Sequence, residues 1–197
     1  FMDKDEFLKR FLFTPPSEYH RESFTRHHDL EHGTFRTAAV LIGLVERESG
    51  LNIIFTRRAS HLRHHPGQIS FPGGKTENGD ASPFETAMRE ANEEIGLVAN
   101  QIQHLGQLDP IKTISGFEVT PVIAFADNRY QPQTDPNEVD IVFEAPIEYL
   151  FNKSNIHALS GYFNGSRRVV YNIPFKNHLI WGVTAQIIHT IQIQLTR

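Results

Sequence analysis

The chain has 197 residues, of which 39% are hydrophobic and 21% charged, with a formal net charge of −4. This is the composition of one globular domain with a sizeable core, and a mildly acidic one, which argues against non-specific nucleic-acid binding. The absence of cysteine excludes a disulfide framework or thiolate metal site and fits a reducing, cytoplasmic setting. No apolar run approaches the roughly 20 residues of a membrane span. The opening Phe1-Met2-Asp3-Lys4 lacks the architecture of a secretion signal.

Residues 3–13 alternate charge with Phe7, Leu8, Phe11 and Leu12, which predicts a short amphipathic helix. Residues 14–33 are polar, histidine-rich and proline-containing, and are expected to be irregular. Thr37 to Val45 reads as a buried strand, Ser49-Gly50 as a turn and Leu51 to Thr56 as the returning strand. A short strand is expected near Ile69-Phe71. A helix follows over 82–95, then strands over Ile102–Leu108, Glu118–Phe125 and Val139–Phe143. Thr113 to Phe117 reads as a turn, and a short helix begins between Pro146 and Phe151. Arg168–Tyr171 is a late strand and Trp181–Leu195 a C-terminal helix. Strands mixed with a few helices fit α/β or α+β equally well.

The helix over 82–95 is the best-bounded of these. Ser82 is a natural N-cap, Pro83 suits the first helical position, Glu85 completes a capping-box pattern, and Gly96 is a natural stop. At 3.6 residues per turn, Phe84, Met88, Ala91 and Ile95 form an apolar arc with Ala87 beside it. Glu90, Glu93 and Glu94 lie together on another side. Like charges three and four residues apart cost an isolated helix a few tenths of a kcal/mol each. A cation would offset that repulsion, and hard oxygen ligands suit Mg²⁺ or Mn²⁺. Arg89, next to the acidic arc, can hold a carboxylate through a two-pronged pair.

This segment resembles the Nudix box, the signature of divalent-metal-dependent hydrolases that cleave a diphosphate linked to another group. Gly74, Arg89, Glu90, Ala91, Glu93, Glu94, Gly96 and Leu97 match the fixed positions over residues 74–97. One departure stands out. The sixth residue after Gly74 is Asp80 where the pattern has Glu, and eight residues rather than seven separate it from Arg89.

The stretch Thr56 to Gly74 is similar to the segment that marks the coenzyme A pyrophosphatase branch of that family. Thr56, Arg58, Ala59, Arg63, Gly67 and Phe71-Pro72-Gly73-Gly74 all fall on its pattern. Three arginines and three histidines within residues 57–65 also make a local positive field in an acidic chain, and guanidinium groups bind phosphate oxygens as forks. Leu108-Asp109-Pro110, Thr113 to Pro121 and Trp181 to Ala185 are similar to later parts of the branch.

The resemblance implies a Nudix αβα sandwich with a central mixed sheet: one domain over 34–197, with residues 1–33 packed on it. It implies a Mg²⁺- or Mn²⁺-dependent hydrolase that cleaves coenzyme A, or a derivative, to 4′-phosphopantetheine and adenosine 3′,5′-bisphosphate. Expected metal ligands are Glu90, Glu94, Glu93 and the Gly74 carbonyl. Arg58, Arg63, Gly73 and Gly74 are expected at the substrate, with Arg89 orienting a glutamate and Glu93 or Glu138 as general base. Two alternatives remain: the same chemistry on ADP-ribose, NADH or another nucleoside diphosphate derivative, and a non-catalytic nucleotide-binding domain. The expected partner is a small nucleotide, with neither nucleic acid nor membrane; oligomeric state is open, a homodimer being one option.

Overall fold

The computed structural model describes residues 2–15, 17–18, 34–163 and 166–196. The irregular segment expected over 14–33 therefore lies almost wholly outside the described residues.

The apolar run that begins the domain forms β1 (Arg36–Arg47), which turns at Gly50 into β2 (Gly50–Arg58). Then come β3 (Ile69–Ser70), β4 (Gly73–Lys75) and, after helix α1 (Lys4–Phe13) upstream, the second helix α2 (Pro83–Ile95). Strands β5 (Ile102–Gln107), β6 (Ile111–Lys112), β7 (Phe117–Ala126) and β8 (Val139–Pro146) complete the large sheet. Its backbone order is β3-β2-β1-β7-β5, with β4 on β1, β6 on β7 and β8 on β2. The pairing of β1 with β7 is parallel and the others are antiparallel, so the sheet is mixed.

Period-2 alternation divides the core into two layers. Ala39, Leu41 and Val45 of β1, with Val122, Ala124 and Ala126 of β7, face Ala87, Ala91 and Ile95 of α2. Ile42, Leu44, Ile123 and Phe125 point the other way. There they meet Phe7 of α1, the short helix α3 (Ile147–Leu150) and the C-terminal helix α4 (Val183–Leu195). Burying each large apolar side chain contributes about 1.5–3 kcal/mol. With both faces covered, β1 reads as an almost unbroken apolar run, as strands buried on two sides do.

A second sheet of three antiparallel strands, β9 (His157–Phe163), β10 (Ser166–Phe175) and β11 (His178–Trp181), joins the α4 side. Only the middle of β10 was expected from the sequence. β9 and β11 are short and largely exposed, and hold together through pairings such as Val170↔Leu159 and Ile173↔Ile180. The strand β4 was not expected either, because consecutive glycines disfavour strands. No helix among the described residues is long and apolar enough to cross a membrane.

Candidate active site

Three backbone arrangements converge at one end of the large sheet. The first is β4, whose register on β1 sets Gly73 opposite Val40 and Gly74 opposite Ala39. Side chains could not be accommodated here. A Cβ on Gly73 would lie 2.4 Å from the Ala39 carbonyl oxygen, and one on Gly74 would lie 2.3 Å from Glu90 Oε1. The two glycines let backbone and carboxylates approach.

The second is α2. Ser82 Oγ accepts from the Glu85 N–H at 3.2 Å, and Pro83 occupies the first turn. The returning bond of Glu85 reaches the Ala81 N–H at 2.9 Å, one residue before the Ser82 N–H of a closed capping box. Gly96 ends the helix at φ 70°. These caps fix the rotation of α2, which turns Glu94 inward to 3% exposure while Glu93 stays exposed.

The third is the entry to β8. Ala59, just past β2, donates its N–H to the Glu138 carbonyl at 2.9 Å. Glu138 thereby joins Glu90 and Glu94: one carboxylate oxygen from each lies within 4.8 Å of the others. Glu94 Oε2 accepts from the Gly73 N–H at 3.1 Å. That donor does not offset its surroundings. Burial, and the like charges of Glu90 and Glu138, push the Glu94 carboxyl up to about 8, against the lowering pull of the Gly73 N–H and the Arg58 charge. Burial also raises Glu90, against the pull of Arg89. A group of hard oxygen donors carrying more negative charge than the protein neutralises fits Mg²⁺ or Mn²⁺.

Arg89 occupies the neighbouring flank. Its Nε and Nη2 grip Asp80 Oδ1 and Oδ2 at 3.2 and 3.0 Å, and Nη2 also donates to the Lys75 carbonyl at 2.8 Å. Nη1 donates to Glu90 at 3.0 Å and to Glu93 at 3.2 Å. Asp80 accepts further bonds from the Glu77 N–H at 2.9 Å and Thr86 Oγ1 at 3.0 Å. Arg89, followed by these donors, holds the Asp80 carboxyl down at about 2. The longer loop and the shorter acid offset each other: an Asp80 N–H to Glu77 carbonyl turn, 3.0 Å, brings the short side chain to the guanidinium.

The other expected residues distribute as follows. Glu93 pairs with Arg89 and lies outside the three-carboxylate group. Arg58 is close enough for its charge to act on Glu94, whereas its neighbour Arg57 faces Asp140 at 3.9 Å. β2 shifts register against β8 between these two arginines, and there they take different partners. Arg63 is exposed on the loop between β2 and β3. Sequence reasoning passed over Tyr130 and Asp135, which tie the segment before Glu138 to α2. The one available signal was a lone aromatic residue in the polar stretch 127–138.

Residues 34–159 match the NUDIX domain family. The chain belongs to the Nudix family. Over 191 residues it is 36% identical to the uncharacterized Nudix hydrolase NudL of Enterobacter sp. (strain 638), covering 97% of this chain and 94% of that protein. The NudL protein of Yersinia pestis (strain Pestoides F) is similar to the same extent. A MutT/nudix family protein from Enterococcus faecalis shares the fold over 98% of this chain and 73% of its own, with a TM-score of 0.50 at 15% identity. The expected αβα sandwich with its mixed sheet is thus the fold of this Nudix protein, and the second, three-stranded sheet falls mostly beyond the family match.

Proposed function

We propose that this Nudix protein hydrolyses the diphosphate of coenzyme A, or of a coenzyme A derivative, to 4′-phosphopantetheine and adenosine 3′,5′-bisphosphate in the cytoplasm. Family membership supports diphosphate cleavage in general. The narrower reading is carried by one observation: the Arg- and His-rich loop leaves β2 beside Glu138, with Arg58 close enough for its charge to act on Glu94. A substrate with a diphosphate and a separate 3′-phosphate has anionic groups for both the carboxylate site and that loop. In this reading residues 34–197 form one catalytic domain, with 1–33 an N-terminal extension.

Glu90, Glu94 and Glu138, with the Gly74 carbonyl, would hold Mg²⁺ or Mn²⁺. Such an ion, when bound, neutralises diphosphate charge and lowers the pKa of water. In this reading the protein's own residues contribute as follows. Arg89 holds Glu90 and Glu93 in place without touching substrate. Gly73 and Gly74, lacking a Cβ, let Glu90 and Glu94 pack against the β4 backbone beside the substrate. Arg58 and Arg63 hold phosphates, and Glu93 or Glu138 takes the proton of the attacking water.

The test is a mass-spectrometric product assay of coenzyme A beside dephospho-coenzyme A, ADP-ribose and NADH, each with Mg²⁺ and Mn²⁺. Coenzyme A should be cleaved fastest, and loss of the 3′-phosphate should weaken it. Preference for ADP-ribose or NADH would retain the carboxylate site and remove the role given to the loop. Stoichiometric nucleotide binding without turnover would favour a binding domain. Arg58→Ala should raise the KM for coenzyme A about tenfold, the scale of one charge-assisted hydrogen bond. Arg57→Ala should change it less than about twofold, as for a weak exposed ion pair.

A further inference from the structure

Glu138 stands apart from the other two carboxylates of the site. Glu90 and Glu94 are one turn apart on a capped helix, but Glu138 comes from a distant part of the chain. Its charge is repelled by the two it joins, and Coulomb repulsion at such separations favours a relaxed segment with Glu138 withdrawn. Something must hold it forward.

The holding contacts sit at the C-terminal end of α2. The last carbonyls of a helix lack partners within the helix and need donors from elsewhere. Here the segment 130–138 supplies them. The Tyr130 hydroxyl donates to the Ile95 carbonyl at 2.7 Å, and the Gln133 N–H donates to the same oxygen at 3.0 Å. The Asp135 N–H donates to the Glu94 carbonyl at 3.2 Å, and the Asp135 carbonyl accepts from the Glu138 N–H at 3.0 Å and the Val139 N–H at 2.9 Å. Two hydrogen bonds through a single residue therefore connect the backbone of Glu94 to that of Glu138. Asp135 Oδ1 closes the intervening turn by accepting from the Asn137 N–H and Nδ2, both at 2.9 Å.

Two features show how tightly the segment crosses the helix end. The Tyr130 ring is 1% exposed, packed in the same apolar layer as Ala91 and Ile95 of α2. A Cβ on Gly96 would lie 2.9 Å from Gln133 Cβ. On its other side, Glu138 is held by the Ala59 N–H.

We propose that Tyr130 and Asp135 are positioning residues that strap the segment 130–138 to the end of α2 and thereby set the place of the Glu138 carboxylate relative to Glu94. The proposal rests on the reading of Glu90, Glu94 and Glu138 as a cation site, and it is independent of which nucleotide is cleaved. The strap touches neither substrate nor ion. Its effect is felt where Glu138 contributes to cation binding.

Calorimetric titration with Mn²⁺ alone tests this, using the full chain and the variants Tyr130→Phe, Asp135→Ala and Glu138→Gln. The first two are also combined with Glu138→Gln. Tyr130→Phe keeps the buried ring and removes only the hydroxyl; Asp135→Ala keeps the backbone bonds but removes the Oδ1 bonds that close the turn before Glu138, loosening the strap at a second place if the first variant folds poorly. Thermal melts without metal accompany each titration. Each strap variant should weaken Mn²⁺ binding about 3- to 10-fold, the scale of a lost hydrogen bond behind a metal ligand. In the Glu138→Gln background the same changes should be nearly silent, because the group they position is gone. Unchanged Mn²⁺ affinity, or an equal loss in both backgrounds, would overturn the proposal. Should Glu138→Gln itself leave Mn²⁺ binding intact, the three-carboxylate reading falls and the strap with it. A failed coenzyme A assay would leave these titrations unaffected.

Discussion

The two flanks of α2 carry the same kinds of side chain and are electrostatic opposites. On one flank Asp80 and Arg89 are well enclosed, with side chains 7% and 23% exposed, and their bonds are complete: the guanidinium serves three carboxylates and a carbonyl. Asp80 is held at about 2. On the other flank Glu94 is buried with one backbone donor and two carboxylate neighbours, and its carboxyl is pushed up to about 8. Burial is the larger push on Glu94, and the ratio of donors to acceptors widens the gap. Where the ratio balances, the charges lock a loop to a helix; where acceptors are in excess, the site attracts a cation or a proton.

The sharpest way to break this contrast is to neutralise one member of each flank. Glu94→Gln should reduce turnover on the order of 10²–10⁴-fold at saturating Mg²⁺, the scale of losing a positioned catalytic group. The same variant should melt higher than the parent chain in the presence of a chelator, because a buried carboxyl that must either stay charged or hold a proton is gone. Asp80→Ala should behave inversely. It leaves Arg89 without its main partner and should cost about 1–3 kcal/mol in urea unfolding. Turnover at saturating metal should fall less than about tenfold, since Glu90 keeps its remaining contacts. If Asp80→Ala proves catalytically worse than Glu94→Gln, the assignment of binding and structural flanks is reversed.

Much of this was legible in the sequence because the signals were local. Ser82, Pro83 and Gly96 fixed the ends of α2, and with them the side on which Glu90 and Glu94 emerge. The apolar run of β1 and its return at Gly50 were equally plain. What escaped depended on partners far along the chain. β4 is a strand only because β1 pairs with Gly73 and Gly74, and β9 only because β10 runs beside it. The Arg89–Asp80 grip required a turn whose geometry two sequence departures share between them. The sequence pattern already favours Arg58 over Arg57 as a phosphate ligand, but the register shift between them against β8 left no local trace. The strap from Tyr130 to Glu138 left almost no trace, since most of its bonds use backbone groups that every residue carries.

A smaller effect sharpens the comparison further, because the flanks should respond to pH in opposite senses. Asp80 is lowered from 3.8 to about 2, so the stability it contributes is present above about 4 and is lost as pH falls toward 2. Glu94 is raised from 4.5 to about 8, so between those values the folded protein retains a proton that the unfolded chain has released. Stability of the metal-free protein should therefore decline as pH rises through that window. A whole proton gives a slope of about 1.4 kcal/mol per pH unit. Water entry and relaxation around Glu94 should reduce the change to about 1 kcal/mol across the window. Urea unfolding with a chelator at pH 5, 6.5 and 8 isolates the effect when the parent chain is compared with Glu94→Gln. The stability advantage of the variant should grow with pH, and Mg²⁺ should stabilise the parent chain more at pH 8 than at pH 5, because only the ionised carboxylate binds the ion. Parallel curves would mean that Glu94 is already ionised at pH 5, with its charge balanced by the protein in the same way as that of Asp80.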